Sequence, residues 1–245
     1  MYKKNRAVLI TGVTSGIGRE IALRFASEGW DVVGHYCSSD KSAENLKSEI
    51  VAKYNTDIFL HKADFSAHKG MLKFLKAIEG YEISVLINNA GTYVSQTHFS
   101  DLTISDIEKT FAINVFSPML ISSKIFQNMK KGKFGRIVNI SSIAAKYGGS
   151  AYSMPYGCSK SAMEGITKTL AKEGAKYNIL VNTIRPGFID TEFHKKFPKD
   201  TTKRIAMVPV KRMGAPKDIA DMAYYLGSER NNFITDEIVT VAGGE

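Results

Sequence analysis

The sequence has very little cysteine: Cys37 and Cys158 are the only two among its 245 residues. Neither belongs to a Cys-x-x-Cys pair or to a cluster of cysteine and histidine. A disulfide framework and a structural zinc site are therefore not expected, and we treat both cysteines as reduced thiols. We predict no metal in the functional site.

Long apolar runs are also missing. No segment approaches the roughly 18 consecutive apolar residues that a helix needs to cross a bilayer. The apolar run at residues 7–10 is too short for the core of a signal peptide, and it leads into a glycine-rich turn. We therefore expect a cytoplasmic protein without a membrane partner.

Blocks of one charge and low-complexity linkers are absent as well. The net charge of +9 admits nucleic acid or acidic partners, but the lysines are dispersed and form no stripe with interleaved aromatic residues. Nucleic-acid binding is therefore not favoured. The length and the 44% hydrophobic content are enough for a full core, and nothing divides the chain, so we predict one domain over residues 1–245.

Short β-branched runs alternate with segments of helical periodicity along the chain. The predicted strands are 7–12, 31–36, 57–63, 85–87, 136–140, 180–184 and 237–241. The predicted helices are 17–27, 42–53, 68–78, 105–130, 156–177 and 216–226. This alternation is typical of an α/β fold: one doubly wound, Rossmann-type domain with a parallel sheet flanked by helices.

Unusual residues follow four of the predicted strands. They are Thr11 to Gly18, Asn88 to Gly91, Ser141-Ser142 and Arg185 to Thr191. In open parallel sheets, ligands bind beyond the carboxyl ends of the strands. The four segments therefore predict one site at that edge.

The first of these segments is a glycine-rich turn between a strand and a helix. Glycines at 12, 16 and 18 permit a tight turn and let backbone N–H groups approach a pyrophosphate at the positive end of the helix. The same residues could form a tight connection without a ligand. The turn is not a Walker A loop, because no Gly-Lys-Ser/Thr follows it.

A phenol and an ammonium group lie four residues apart at Tyr156 and Lys160, on the same face of a helix predicted to start near Pro155. A nearby cation lowers the pKa of a tyrosine, which would make Tyr156 an acid or base near neutral pH. Such a pair is also common on an ordinary amphipathic helix.

The combination of motifs is more specific than any one of them. TGxxxGxG at 11–18, Asn88-Asn89-Ala90-Gly91, Asn114, Ser141-Ser142, Tyr156-x-x-x-Lys160 and Arg185-Pro186-Gly187 occur in this order. Together they resemble the short-chain dehydrogenase/reductase family over essentially the whole chain. Within it the chain looks most like bacterial 3-oxoacyl-[acyl-carrier-protein] reductases and related sugar and alcohol dehydrogenases.

The resemblance implies roles for four residues. Tyr156 would be the proton donor in reduction, and Lys160 would lower its pKa and hold the nicotinamide ribose. Ser142 would hydrogen-bond the substrate carbonyl, and Asn114 would position a water that links Lys160 to bulk solvent. A hydroxyl and an acidic phenol suit the negative charge that hydride delivery develops on a carbonyl oxygen. Asn114 could equally be a buried amide.

The resemblance also implies a cofactor site. It would be made by Gly12, Thr14, Ser15, Gly16, Ile17, Gly18, Ser38, Asp64, Phe65, Asn89, Ala90, Gly91, Tyr156, Lys160, Pro186, Gly187, Ile189 and Thr191. Asp64 and Phe65 would flank the adenine, and Pro186 to Thr191 would meet the nicotinamide. Pro186-Gly187 could also be a simple turn.

The end of the second predicted strand bears on the choice between NADP(H) and NAD(H). NAD-specific enzymes place a carboxylate there, but residues 34–39 contain no acid, and Ser38 and Ser39 offer hydroxyl donors near Lys41. We predict a preference for NADP(H), without excluding NAD(H).

Substrate and partners are less determined. Our first hypothesis is a reductase of a carrier-bound 3-oxoacyl substrate. The second is a dehydrogenase of small alcohols or of sugars, including nucleotide sugars. A remote third is a regulator that binds a dinucleotide without catalysis. Residues 188–209 would form a substrate lid. The resemblance implies a homotetramer. Lys130, Lys131, Lys133, Lys172 and Lys176 would dock an acidic acyl carrier protein near the pocket mouth, although such lysines often serve solubility.

Two departures from the family pattern leave alternatives open. The spacing from Ser142 to Tyr156 is about one residue longer than in close relatives, so Ser141 is a second candidate for the carbonyl contact. Thr235-Asp236-Glu237 and Ala242 also depart from the pattern, in a region that is often part of an oligomer interface.

Overall fold

A twisted sheet of seven parallel strands forms the centre of the computed structural model, which describes residues 6–14, 16–93, 97–192 and 200–245. The strands lie in the order β3-β2-β1-β4-β5-β6-β7. They are β1 (Ala7–Thr11), β2 (Asp31–Tyr36), β3 (Ile58–Lys62), β4 (Ile83–Asn88), β5 (Gly135–Ile140), β6 (Ile179–Pro186) and β7 (Ile238–Val241). The predicted fold class is confirmed.

Helices cover both faces of this sheet. They are α1 (Gly16–Ala26), α2 (Asp40–Lys53), α3 (His68–Ala77), α4 (Ile104–Phe111), α5 (Ser117–Gly132), α6 (Ile143–Tyr147), α7 (Met154–Gly174), α8 (Thr201–Met207) and α9 (Pro216–Gly227). None of these described helices has the length and hydropathy required to span a membrane.

The core has two layers because successive side chains of a strand point to opposite faces of the sheet. In β1, Val8 and Ile10 pack into the layer beneath α1 and α9, whereas Leu9 packs into the layer beneath α3 and α5. Phe25 of α1 and Phe74 of α3 are among the largest fully buried side chains in the two layers. Strands buried on both faces explain why the sequence shows continuous apolar runs rather than alternation.

The strand order reverses between β1 and β4: the chain proceeds from β1 to β2 and β3 on one side of the sheet, and from β4 to β5, β6 and β7 on the other. β1 pairs with β2 on one side and with β4 on the other. The crossovers from these two strands leave the sheet in opposite directions, and a crevice opens between them at the carboxyl ends. The predicted ligand-binding edge is therefore the edge at which Gly12 and Asn89 lie.

The long helical stretch predicted at 105–130 is helical from Ile104 to Gly132, but one π-helical turn divides it into α4 and α5. Residues Ala112–Phe116 form one π-helical turn, in which the N–H of Ser117 donates to the carbonyl of Ala112. Pro118 has no N–H to donate to the carbonyl of Asn114 four residues earlier, which explains why the α-helical ladder is interrupted there. The short helices α6 and α8 were also not predicted from the sequence.

Candidate active site

The conformation of the glycine-rich turn after β1 requires glycine at three positions. Gly12 and Gly16 have φ angles of +75° and +53°, and a Cβ on Gly18 would lie 2.0 Å from the carbonyl oxygen of Gly12. The turn therefore passes directly into α1, whose first N–H groups have no partner within the helix and can bind an anion. Ser15, predicted to bind the cofactor, lies outside the described residues.

Side chains from the neighbouring loop hold this turn in place. Asn89 donates from Nδ2 to the carbonyls of Thr11 (2.9 Å) and Gly12 (3.1 Å). In return, the hydroxyl oxygen of Thr11 accepts from the N–H groups of Asn89 (3.0 Å) and Ala90 (2.9 Å). The loops after β1 and β4 are thus one rigid unit at the carboxyl edge of the sheet.

A cavity of about 670 Å³ lies along this edge. The predicted site residues that line it are Gly12, Thr14, Gly16, Ile17, Gly18, Ser38, Asp64, Phe65, Asn89, Ala90, Gly91, Ser142, Tyr156, Lys160, Pro186, Gly187, Ile189 and Thr191. A Cβ on Gly16 would lie 3.1 Å from Cγ2 of Thr191, so the segment after β6 approaches the turn after β1. Asn114 does not line the cavity.

Ser142 and Tyr156 form a hydrogen-bonded pair in the cavity wall. Ser142 is also the N-cap of α6, where its Oγ accepts from the N–H of Ala144 at 3.1 Å. Tyr156 lies in the first turn of α7, which has Pro155 near its start. Two chain segments thus bring a hydroxyl and a phenol together.

The prediction that Lys160 lowers the pKa of Tyr156 is not met in this structure. Burial raises the pKa of the phenol above its usual value, and the lowering contact comes from Ser142. The Nζ of Lys160 donates to the carbonyl of Ile140 at 2.8 Å and lies 5.8 Å from the centroid of the tyrosine ring. Burial lowers the pKa of Lys160 to about 8, because the charged ammonium is almost completely removed from water.

Asn114 is a fully buried amide in the π turn between α4 and α5. Its Nδ2 donates to the carbonyl of Thr92 and to the hydroxyl of Ser159, both at 2.9 Å, and its Oδ1 accepts from the N–H of Thr92 at 2.8 Å. Ser159 immediately precedes Lys160. Asn114 therefore joins the loop after β4 to α7, which agrees with the buried-amide alternative.

The hydroxyl of Ser141 is bound to Glu164 in the structure. Its Oγ donates to Oε1 of Glu164 at 2.9 Å, and Glu164 also accepts two hydrogen bonds from Arg185, at 2.9 and 2.7 Å. The carboxylate raises the pKa of the Arg185 guanidinium further. Of the two serines, Ser142 is thus the one whose hydroxyl is directed toward the phenol.

Among the other side chains that line the cavity are His35, Tyr93 and Arg204, to which sequence reasoning assigned no individual role. His35 is buried at the end of β2, and its ring stacks on Phe65 at 3.7 Å between centroids. Tyr93 lies 5.9 Å from the ring of Tyr156. Only His35 left a signal in the sequence, as an ionisable residue within an apolar strand.

The lysines that were predicted to dock a carrier protein do not surround the cavity. Lys130 and Lys176 lie over the ring of Tyr177, with Nζ 4.3 and 5.2 Å from its centroid. This group lies where β5 and β6 begin, whereas the cavity lies where they end. The 8 residues of β6 put the two edges roughly 25 Å apart. The predicted position at the pocket mouth is wrong for a single chain.

Comparisons with known proteins agree with this geometry. Residues 6–202 match the family model described as short chain dehydrogenase. The chain is 32% identical to a 3-oxoacyl-[acyl-carrier-protein] reductase FabG of Aquifex aeolicus, over 98% of this chain and 97% of that protein. It is 34% identical to an L-rhamnose 1-dehydrogenase (NADP(+)) of Thermoplasma acidophilum, over 98% and 96%.

A solved structure gives the same result. A blue fluorescent protein from a metagenomic library, in complex with NADPH, has a TM-score of 0.90 and 30% identity, covering 98% of this chain and 97% of that chain. NADPH is a form of the cofactor predicted for this site. The predicted family and the predicted oxidoreductase activity are both confirmed: the chain belongs to the short-chain dehydrogenase family and is an NAD(P)-dependent oxidoreductase.

Proposed function

We propose that the protein uses NADPH to reduce the keto group of a 3-oxoacyl substrate, with Tyr156 as the proton donor. The observation that carries this proposal is the hydrogen-bonded pair of Ser142 and Tyr156 in the cavity that also contains the glycine-rich turn. One cavity thus combines a dinucleotide cradle with two hydroxyl donors for a carbonyl oxygen.

The chain's residues fit a dinucleotide. Backbone N–H groups at the start of α1 would hold the pyrophosphate, since a Cβ at Gly12 or Gly18 would fill the space beside Asn89 and Ala90. Asp64 and Phe65 would flank the adenine, Lys160 would hold the ribose, and the remaining predicted cofactor residues, Ser15 included, would complete the site. When bound, the nicotinamide supplies the hydride.

The end of β2 favours NADP(H). The nearest acid, Asp40, is engaged by Nζ of Lys62 at 2.6 Å and by the hydroxyl of Tyr36 at 3.0 Å, and it does not line the cavity. Ser38 and Ser39 do line it. Without a carboxylate to repel it, a 2′-phosphate can be held by these hydroxyl groups.

The proton moves through the chain's own groups. Ser142 donates to the carbonyl oxygen and keeps it beside Tyr156, whose phenol gives up its proton as negative charge develops. A substrate oxygen and the ammonium of Lys160 would then stabilise the phenolate. This stabilisation would lower the pKa of Tyr156, which burial raises. Asn114 fixes Ser159 and so the position of Lys160 on α7.

Substrate access would be controlled by residues 188–209, which we propose as a lid within one domain over 1–245. Ile189 forms a β-bridge with Gly214, and α8 lies in the second half of this segment. Residues 193–199 of the lid lie outside the described residues. Helix α8 carries Arg204 to the cavity wall.

A homotetramer and a cytoplasmic location remain proposals. Apolar side chains on α4, on α5 and in the π turn between them are exposed in the single chain, among them Ile104, Phe116, Met119 and Leu120. A contact between copies through these helices would bury them. Analytical ultracentrifugation would measure the oligomeric state.

The substrate class rests on the relatives and on the cavity. An acyl carrier protein is the proposed carrier, because one relative is named as a 3-oxoacyl-[acyl-carrier-protein] reductase. A sugar dehydrogenase is the second candidate, because another relative is an L-rhamnose 1-dehydrogenase (NADP(+)) and hydroxyl groups of Tyr93, Ser150 and Ser153 belong to residues that line the cavity.

Initial rates with matched substrates test the two candidates. We expect NADPH oxidation with acetoacetyl-[acyl-carrier-protein] or acetoacetyl-CoA to exceed, in kcat/KM, the oxidation of L-rhamnose with NADP⁺ by about tenfold or more. The reverse order would select the sugar dehydrogenase. No turnover of either class, with NADPH still bound in a fluorescence titration, would exclude both proposed substrate classes.

A further inference from the structure

Arg204 and Glu245 form a buried ion pair in a part of the molecule to which the preceding mechanism gives no role. Arg204 lies on α8, and Glu245 follows the glycines after β7. Nη1 of Arg204 contacts Oε1 of Glu245, and the two side chains are only 18% and 8% exposed. The guanidinium carbon of Arg204 also lies 5.3 Å from the ring centroid of Phe188.

The pairing of these two groups is incomplete. Within the described residues, neither Nη1 of Arg204 nor Oε2 of Glu245 has a hydrogen-bond partner of suitable geometry. Oε2 of Glu245 lies 3.0 Å from the position that a Cβ on Gly187 would take. A buried ion pair offsets its desolvation cost only when its remaining hydrogen bonds are satisfied, so fold stability alone gives a poor account of this pair.

Arg204 is also one of two cations that line the cavity within the described chain. The other is Lys160, whose ammonium is bound to the carbonyl of Ile140. The guanidinium presents five N–H donors in a planar fork that matches a carboxylate or a phosphate. Glu245 supplies one such oxyanion from the chain itself.

We propose that Arg204 anchors an oxyanion carried by the substrate, and that the carboxylate of Glu245 pairs with the guanidinium when no substrate is bound. The inference rests on the proposed reduction and narrows its substrate class to carbonyl compounds with an anionic group. That group is a carboxylate on a small oxo acid or the phosphate of a phosphopantetheine arm. Either group would displace the carboxylate of Glu245 from the guanidinium of Arg204.

Two matched pairs of substrates distinguish these sources. Acetoacetate is compared with ethyl acetoacetate, and acetoacetyl-4′-phosphopantetheine is compared with acetoacetyl-pantetheine. In Arg204→Gln, the ratio of kcat/KM for the anionic member to that for the neutral member should fall about tenfold or more in one pair. The pair that responds identifies the anion. An unchanged ratio in both pairs overturns the proposal.

A matched control is available nearby. Arg212 lies outside this cavity and is exposed, and it contacts Asp218 at 3.5 Å. Arg212→Gln removes the same charge, and it should leave both ratios unchanged. An equal effect of Arg204→Gln and Arg212→Gln would mean that general electrostatic attraction, not a specific anchor, acts on the anion, and would also overturn the proposal.

Variants of Glu245 give a readout that needs no catalysis. Glu245→Gln removes the competing carboxylate, so acetoacetate or inorganic phosphate should raise its unfolding temperature more than that of the parent. In the double variant Arg204→Gln, Glu245→Gln, which leaves no unpaired charge, this increase should disappear. If the protein reduces no member of either pair, the proposed function fails, but the anion-dependent increase still decides the role of Arg204: its absence in Glu245→Gln overturns that role.

Discussion

His35 makes a prediction about stability that can be worked out from its contacts. Its Nε2 lies 2.9 Å from the carbonyl of Ala63, so Nε2 carries the proton and donates it. Nδ1 is then an acceptor, and the N–H of Gly12 is 3.3 Å from it. The ring is 3% exposed and stacked on Phe65, so water cannot solvate a charge on it.

The pKa of His35 falls from its ordinary value of 6.5 to about 4. Burial is the main cause; the hydrogen bond to Ala63 and the charge of Asp64 act in the opposite direction, and His61 adds to the decrease. A histidine that is neutral when folded stabilises the fold above its unfolded pKa. That stability is lost as the pH falls from 6.5 toward 4, since only the unfolded chain takes up the proton.

The loss can be expressed as free energy. One pKa unit corresponds to about 1.4 kcal/mol, so His35 should cost about 2 kcal/mol of unfolding free energy between roughly pH 7.5 and pH 5, and about 3 kcal/mol by pH 4. The affected contacts lie beside the glycine-rich turn. Acid should therefore weaken NADPH binding before the rest of the fold is lost.

Urea denaturation at several pH values measures this effect. His35→Gln keeps a donor and an acceptor but does not titrate near neutral pH, so its unfolding free energy should fall about 2 kcal/mol less than that of the parent over the same interval. His61→Gln is the matched control, because His61 lies on the neighbouring strand β3 and is only partly buried. Parallel curves for His35→Gln and the parent would refute the reasoning.

Three further predictions concern catalysis and the cofactor. Tyr156→Phe should lower kcat by about two to four orders of magnitude with NADPH binding near normal, and residual activity within about tenfold of the parent would contradict its role as the acid. Ser142→Ala should reduce kcat by about 10²–10³, while Ser141→Ala should mainly reduce stability; a reversed order in stopped-flow rates would reassign the carbonyl contact. The parent should have a higher kcat/KM with NADPH than with NADH, and Ser38→Asp should reduce this preference about tenfold, since a carboxylate repels a 2′-phosphate; an unchanged preference would place the phosphate elsewhere.

The sequence alone determined the fold class and most of the candidate site. The alternation of strands and helices is a local property, since buried strands appear as short apolar runs and helices as segments with helical periodicity. The carboxyl ends of parallel strands meet at one edge by topology. Residues as distant as Gly12, Asn89, Ser142 and Pro186 could therefore be assigned to one cavity before any contact was known.

Other features depend on contacts between segments that are far apart in the chain. The contact of Tyr156 with Ser142 depends on how α6 and α7 pack. The structure therefore distinguishes Ser142 from Ser141 as the partner of Tyr156, which the number of residues between them and Tyr156 could not do. The direction of the pKa shift at Tyr156 depends on burial, which has no local signature.

The cavity wall formed by Arg204 and Glu245 is another such feature, because α8 and the end of β7 meet only in the folded chain. The lysines around Tyr177 are a second example. The sequence correctly predicted that they lie near helix ends, but the edge of the sheet that those ends reach depends on the tertiary structure. Periodicity and motif order follow from local chemistry, whereas burial, charge pairing and distance to the cavity arise only when the layers pack.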